Sequence, residues 1–192
     1  MSSTLKRGLF HILGGLSFPV AALFLTRMAL LISLGVVTFV FLAFEFLRFR
    51  APKINRWFFS LFRPLLREEE ASRLTGTSYM LIASLIAFLA FPRDIAVLAL
   101  CFLAVGDAVA AIVGKYMGKR KLLSKTVEGD LACFVSCLLI GFVLYYAGLN
   151  IRLLTTLVGS VGATFVEAIP LPLNDNLTMP LFAGLVMTVM QL

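Results

Sequence analysis

Asp107 interrupts an apolar stretch that runs from Ile95 to Gly114, and a loop dense in glycine and cationic residues follows it. The order is Asp107, Gly114-Lys115, Gly118-Lys119-Arg120-Lys121, Ser124-Lys125-Thr126 and Glu128-Gly129-Asp130. A carboxylate in hydrocarbon is costly enough to be read as functional by default. Glycines let backbone N–H groups come close to an anion, and lysines or arginines beside them neutralise it. A nucleoside triphosphate, with about four negative charges, needs such cations, backbone donors and a divalent metal held by carboxylates. The residue types therefore suit phosphoryl transfer. Lys115, Lys119, Arg120, Lys121 and Lys125 are the candidate phosphate cations, with Gly114, Gly118, Gly129, Ser124 and Thr126 beside them. Asp107, Glu128, Glu167 and Asp175 are candidate ligands for Mg2+ or another divalent cation, or the base that accepts an alcohol proton. Asp107, Lys125 and Glu128 are the expected catalytic residues. The chain has no Gly-x-x-x-x-Gly-Lys-Ser/Thr and no Gly-x-Gly-x-x-Gly, so the site is of neither the soluble NTPase nor the protein-kinase type.

The elements that must position these groups are membrane spans. Of the 192 residues 60% are hydrophobic and 14% charged, with a mean hydropathy of +1.00. Soluble domains carry roughly 45–50% apolar and about 25% charged residues, so the composition excludes a soluble globule. A span takes about 20 mostly apolar residues. Seven stretches qualify, near 9–26, 28–47, 77–91, 95–114, 129–148, 151–169 and 177–191. The third and seventh are short, and a six-span count stays open. The expected architecture is an all-α, polytopic helix bundle forming one domain over 1–192. The first stretch lacks a small-residue cleavage site and is expected to be retained as a span.

Charge sets the orientation. With the N-terminus in the cytoplasm, 14 of the 17 lysines and arginines fall on that side, leaving Arg27, Arg93 and Arg152 opposite. The positive-inside rule then puts loops 48–76, 114–128 and 170–176 in the cytoplasm. Glu45, Asp107 and Glu167 lie toward the same end of their spans. Gly106, Ala110 and Gly114 recur every four residues, and Ala111 and Gly114 share a helix face with Asp107. Ser160, Ala163 and Thr164 share a face with Glu167. Each acid thus faces an expected groove free of large side chains. Loop 48–76 mixes Arg48, Arg50, Lys53, Arg56, Arg63 and Arg67 with Trp57, Phe58, Phe59 and Phe62, as an interfacial segment on anionic lipid does. Its tether at the bilayer argues against nucleic acid as a partner. Cys101, Cys133 and Cys137 fall inside spans without a nearby histidine, and read as small buried apolar residues. His11 stands four residues after Arg7, on the same helix face near the cytoplasmic surface.

The block from Asp107 to Gly129 resembles the hallmark of the CTP-dependent lipid kinases, the group of dolichol kinase, phytol/farnesol kinase and yeast-type diacylglycerol kinase. Three outer elements agree in order. Arg7 and His11 resemble an Arg-Lys-x-x-His element, with Gly8 where the family usually has Lys. Glu70 to Tyr79 resembles a Glu…Leu-Thr-Gly…Tyr element. Glu167-Ala-Ile-Pro170 and Asp175-Asn176-Leu-Thr-Met-Pro180 resemble the C-terminal Glu…Asp-Asn-Leu…Pro pair. The resemblance spans nearly the whole chain. It implies a membrane-embedded kinase that moves the γ-phosphoryl of CTP to the hydroxyl of a lipid alcohol, such as a polyprenol or diacylglycerol, at the cytoplasmic face. It also adds Arg7, His11, Glu70 and Asn176 to the expected site. Two other readings stand beside it. A phosphatidate cytidylyltransferase-like enzyme would use CTP but attack the α-phosphorus. A small transporter would place acids near the midplane or on both sides, with an internal repeat.

Overall fold

The computed structural model describes residues 2–123 and 125–191. Helices dominate it, and each of the seven expected spans coincides with helix. The first two are α1 (Ser3–Phe24) and α2 (Arg27–Arg50). Both start at hydroxyl caps: Leu5 N donates to Ser2 Oγ at 3.4 Å, and Ala29 N to Thr26 Oγ1 at 3.3 Å. Such caps satisfy amide groups that the first helical turn leaves free. A short amphipathic helix, α3 (Pro52–Phe62), follows, with proline in its first turn, where the missing N–H costs nothing. Its Phe58 turns inward and meets Phe44 edge-on at 5.2 Å between centroids, while Trp57 and Leu61 face outward. A 3-10 turn, Glu68–Ala71, leads into α4 (Gly76–Ala90).

The next span forms the centre of the bundle. It begins as α5 (Arg93–Cys101), widens into a π-helical turn over Phe102–Asp107, and resumes as α6 (Ala108–Met117). Every residue from Ile95 to Ala104 is buried. A helix that is apolar on all sides belongs in the middle of a bundle, and α1, α4, α7, α8 and α9 surround this one. Asp107 closes the π turn, a local widening that recurs at functional sites in helices.

A two-residue antiparallel ladder pairs β1 (Lys121–Leu122) with β2 (Lys125–Thr126). The chain then enters α7 (Val127–Tyr146), α8 (Leu153–Ala168) and α9 (Asp175–Gln191). Four segments are long and apolar enough to cross a membrane: α1, α2, the combined Arg93–Met117 helix and α7. Two shorter apolar helices, α4 and α8, lie among them. The chain is an integral membrane protein. Its outward faces carry Phe24, Phe39, Leu139 and Tyr146, whose exposure suits hydrocarbon rather than water.

Two expectations about helix faces are corrected. The row Gly106, Ala110 and Gly114 is filled by α7 and offers no open groove. A Cβ at Gly106 would lie 2.8 Å from Cys137 Sγ, and one at Gly114 would lie 2.9 Å from Thr126 Oγ1. On α8, Ser160 and Ala163 are buried in helix packing, and Ser160 Oγ donates to its own helix at Thr156 O. The small residues there let helices approach closely. Ala108 and Ala111, in contrast, do line open space beside Asp107.

Candidate active site

A cavity of about 520 Å³ opens at the end of the bundle that carries the N-terminus and the segments 58–76 and 169–176. Three helices bring acids to it. Asp107 comes from the end of the π turn, Glu167 from the last turn of α8, and Asp175 from the first turn of α9. One carboxylate oxygen from each lies within 4.8 Å of the others. Lys125, delivered by β2, puts its ammonium 2.6 Å from Glu167 Oε2 and 2.9 Å from Asp175 Oδ2. Burial of the lysine opposes its charge, but the two carboxylates outweigh this and raise its pKa above the ordinary value. His11 Nε2 lies 3.6 Å from Asp107 Oδ2 and 3.4 Å from the Leu103 carbonyl.

This arrangement fits a divalent cation. Three carboxylates stand against one ammonium, with Glu167 buried and Asp107, Asp175 and Lys125 partly open to the cavity. Hard oxygen donors of that kind are what Mg2+ selects. Lys125 is the cation that stands among them in the structure.

The other expected residues distribute unevenly. Arg7, His11, Glu70 and Asn176 line the cavity, as do Arg67 and Arg73. Glu70 holds the loop in shape: its two oxygens accept from Arg67 N at 2.7 Å and Gly76 N at 2.5 Å. Asn176 Nδ2 donates to the Gly76 carbonyl at 2.9 Å, tying α9 to the start of α4. Lys119, Arg120 and Lys121 are exposed on the loop outside the cavity, and Lys115 is engaged with Thr4 Oγ1. Of the five expected phosphate cations, only Lys125 lines the cavity. Ser124 lies outside the described residues.

Glu128 lies apart from the carboxylate cluster. It is partly buried, and its oxygens accept from the backbone N–H groups of Lys119 at 3.0 Å and Arg120 at 3.2 Å. The carboxylate therefore shapes the basic loop. The glycines serve the same loop. Thr126 nests against Gly114, Gly118 and Gly129, where a Cβ at each would come within 2.7 to 3.0 Å of its side chain. From there Thr126 Oγ1 accepts from Gly129 N at 3.2 Å and caps α7.

Sequence reasoning missed two features. Arg67 and Arg73 looked like topology signals but reach the cavity because Arg48 folds their loop inward. The Arg48 guanidinium, fully buried, donates to Glu45 Oε2 at 2.8 Å, Asn55 Oδ1 at 2.9 Å, and the carbonyls of Glu70 and Arg73 at 3.0 and 2.7 Å. Glu45 Oε1 accepts from Thr75 N, Thr75 Oγ1 and Ser78 Oγ. The second is Asp130. It is 7% exposed, and neither carboxylate oxygen has a hydrogen-bond partner among the described residues. Its position three residues before Cys133 on the buried face of α7 was the available signal.

No family model matches the chain, and no solved structure matches it. Curated relatives do. An uncharacterized protein of Rickettsia prowazekii is 31% identical over 182 residues, covering 92% of this chain and 89% of the relative. CTP-dependent diacylglycerol kinase 1 of Schizosaccharomyces pombe is 28% identical over 156 residues, covering 73% and 71%. The probable phytol kinase 3, chloroplastic, of Glycine max is 33% identical over 118 residues, covering 55% of this chain and 36% of that protein. The relatives with assigned activities are lipid kinases, at modest identity, and they match the family that the sequence resembles.

The place of Gly8 in the resemblance has a physical side. The residue is buried where α1 crosses α6, and a Cβ there would lie 3.1 Å from Ile112 Cδ1. A lysine would have to push Ile112 aside. Arg7, the preceding residue, lines the cavity.

Proposed function

We propose that the protein transfers the γ-phosphoryl of a nucleoside triphosphate, CTP foremost, to the hydroxyl of a lipid alcohol at the cytoplasmic membrane surface. The observation that carries this reading is the meeting of Asp107, Glu167 and Asp175 around Lys125 at the wall of a cavity rimmed by arginines. The curated relatives with assigned activities are kinases, which favours γ-phosphoryl transfer over attack at the α-phosphorus.

Phosphoryl transfer passes through a loose transition state, so positioning and charge neutralisation dominate catalysis. Asp107, Glu167 and Asp175 would hold the divalent cation, which supplies charge neutralisation of the phosphate oxygens. Arg7, Arg67 and Arg73 surround the cavity with fixed positive charge for the triphosphate. Lys125 is already inside the site, held by Glu167 and Asp175, and places its charge where the transferred group would meet it. His11, with Nε2 3.6 Å from Asp107 Oδ2, packs beside that carboxylate and limits its positions. The basic loop, held by Glu128 and Thr126, lies beside the opening and draws polyanions in from the cytoplasm. The acceptor stays dissolved in the bilayer and presents only its hydroxyl, which explains a kinase built almost wholly from spans.

The test is a panel of acceptors, diacylglycerol, phytol, geranylgeraniol and polyprenols, each against CTP, UTP and ATP with purified protein in detergent. Phosphorylation of at least one alcohol, fastest with CTP, is expected. An absence of lipid phosphate across the panel, with Mg2+ present, would contradict the assignment.

A further inference from the structure

Leu171 and Leu173, in the segment between α8 and α9, line two spaces at once. One is the polar cavity that holds Lys125 and Asp175. The other is an apolar groove of about 360 Å³ between the outer faces of α8 and α9. Leu177, Leu181 and Leu185 recur every four residues along α9 and form one wall; Val166 of α8 faces them. The groove's one hydroxyl, Thr178 Oγ1, donates back to the Asn174 carbonyl at 3.4 Å and leaves the groove without a free polar group. From Leu177 to Leu185 the stripe descends about 12 Å. It therefore starts at the rim of the catalytic cavity and runs along α9 into the hydrocarbon layer.

We propose that this groove seats the hydrocarbon tail of the acceptor lipid while its hydroxyl reaches past Leu171 and Leu173 to the carboxylate cluster. The inference rests on the kinase reading above. A nucleotide has no use for a groove without polar groups, and a bulk lipid has no reason to share its wall with a phosphate site. A single molecule with a hydroxyl at one end and a hydrocarbon tail at the other fills both spaces. The aromatic side of the cavity is formed by Phe41 of α2 and by Phe58 and Phe62 of α3, with Phe58 buried, whereas the α8–α9 groove lies open along those two helices.

Two measurements test this. The first is photocrosslinking of the wild-type protein with a long-chain alcohol carrying a diazirine in its tail, mapped by mass spectrometry. Adducts are expected on residues 166–185; adducts confined to residues 41–62 would overturn the proposal. This readout needs no turnover, so it separates failure of the groove from failure of the kinase reading. The second measurement fills the groove with Leu181→Trp and Leu185→Trp, using the lipid-facing Val143→Trp of α7 as control. The groove variants should raise KM for a long-tailed alcohol at least ~10-fold through lost tail burial. Their KM for CTP, and the turnover of a short-chain alcohol, should match those of the control. Equal KM values for the long-tailed alcohol in all three variants would overturn the proposal.

Discussion

The ammonium of Lys125 lies 2.6 Å from the carboxylate of Glu167, so the loop after α6 is fastened to the buried end of α8. The glutamate side chain is 4% exposed and the lysine 27%. The pair is therefore both a structural tie and the electrostatic centre of the site.

Removing the lysine alone would leave a buried charge without compensation. Breaking a buried ion pair costs about 3–5 kcal/mol, and the partly exposed lysine puts Lys125→Met near the low end, about 3 kcal/mol. Thermal unfolding in detergent would measure it. The pH dependence has a definite sign. The folded-state pKa of Lys125 is raised above its ordinary 10.5, so its stabilisation is full below that value and is lost as pH climbs through the folded value. The stability gap between wild type and Lys125→Met should accordingly hold from pH 7 to 9 and close only at strongly alkaline pH.

Asp107 sits at the junction of buried helix and open cavity. Asp107→Asn keeps the side chain's shape and removes the charge that a cation or an acceptor proton would meet. A loss of about 10²-fold or more in kcat is expected, with a melting temperature within a few degrees of wild type. An active Asp107→Asn protein would remove this residue from the mechanism.

Arg48 and Glu45 form the clamp behind the cavity wall. Arg48→Met would orphan the Glu45 carboxylate and free the carbonyls of Glu70 and Arg73. The expected cost is about 3–5 kcal/mol, with faster proteolysis in residues 63–75 as the local signature. Arg50→Met, on the same helix but outside the clamp, should leave both unchanged.

Much of this was legible in the sequence, and the reason differs by residue. The seven helices follow from long apolar runs, a signal that depends only on local composition. Asp107 and Glu167 stood out because acids are rare in such runs, Asp175 stood out through the resemblance of its loop, and the three do converge. Local pattern misled where partners were distant. The Gly106–Ala110–Gly114 row promises an open groove on an isolated helix, and α7 fills it. Glu128 follows the basic loop in the manner of a ligand, yet the backbone of Lys119 and Arg120 takes both its oxygens. Arg48 looked like one cation among many in a surface loop. Only the return of the chain at residues 70–73 reveals it as the most buried charge in the clamp.

Asp130 carries a different expectation. Burying an unpaired charge costs more than burying a neutral amide of the same shape, so Asp130→Asn should raise the melting temperature of the protein. Calorimetric unfolding with and without Mg2+ would check it. A lower melting temperature without metal would show that the carboxylate has a stabilising partner.

The central claim is that the phosphoryl group moves from the nucleotide's γ position to a lipid hydroxyl. Purified protein given a competent alcohol, Mg2+ and CTP labelled at either the γ- or the α-phosphorus tests it directly. The account predicts γ-label in the lipid product, none of the α-label there, and loss of transfer in Asp107→Asn. Alpha-label in the lipid, with γ-label recovered in pyrophosphate, would contradict it.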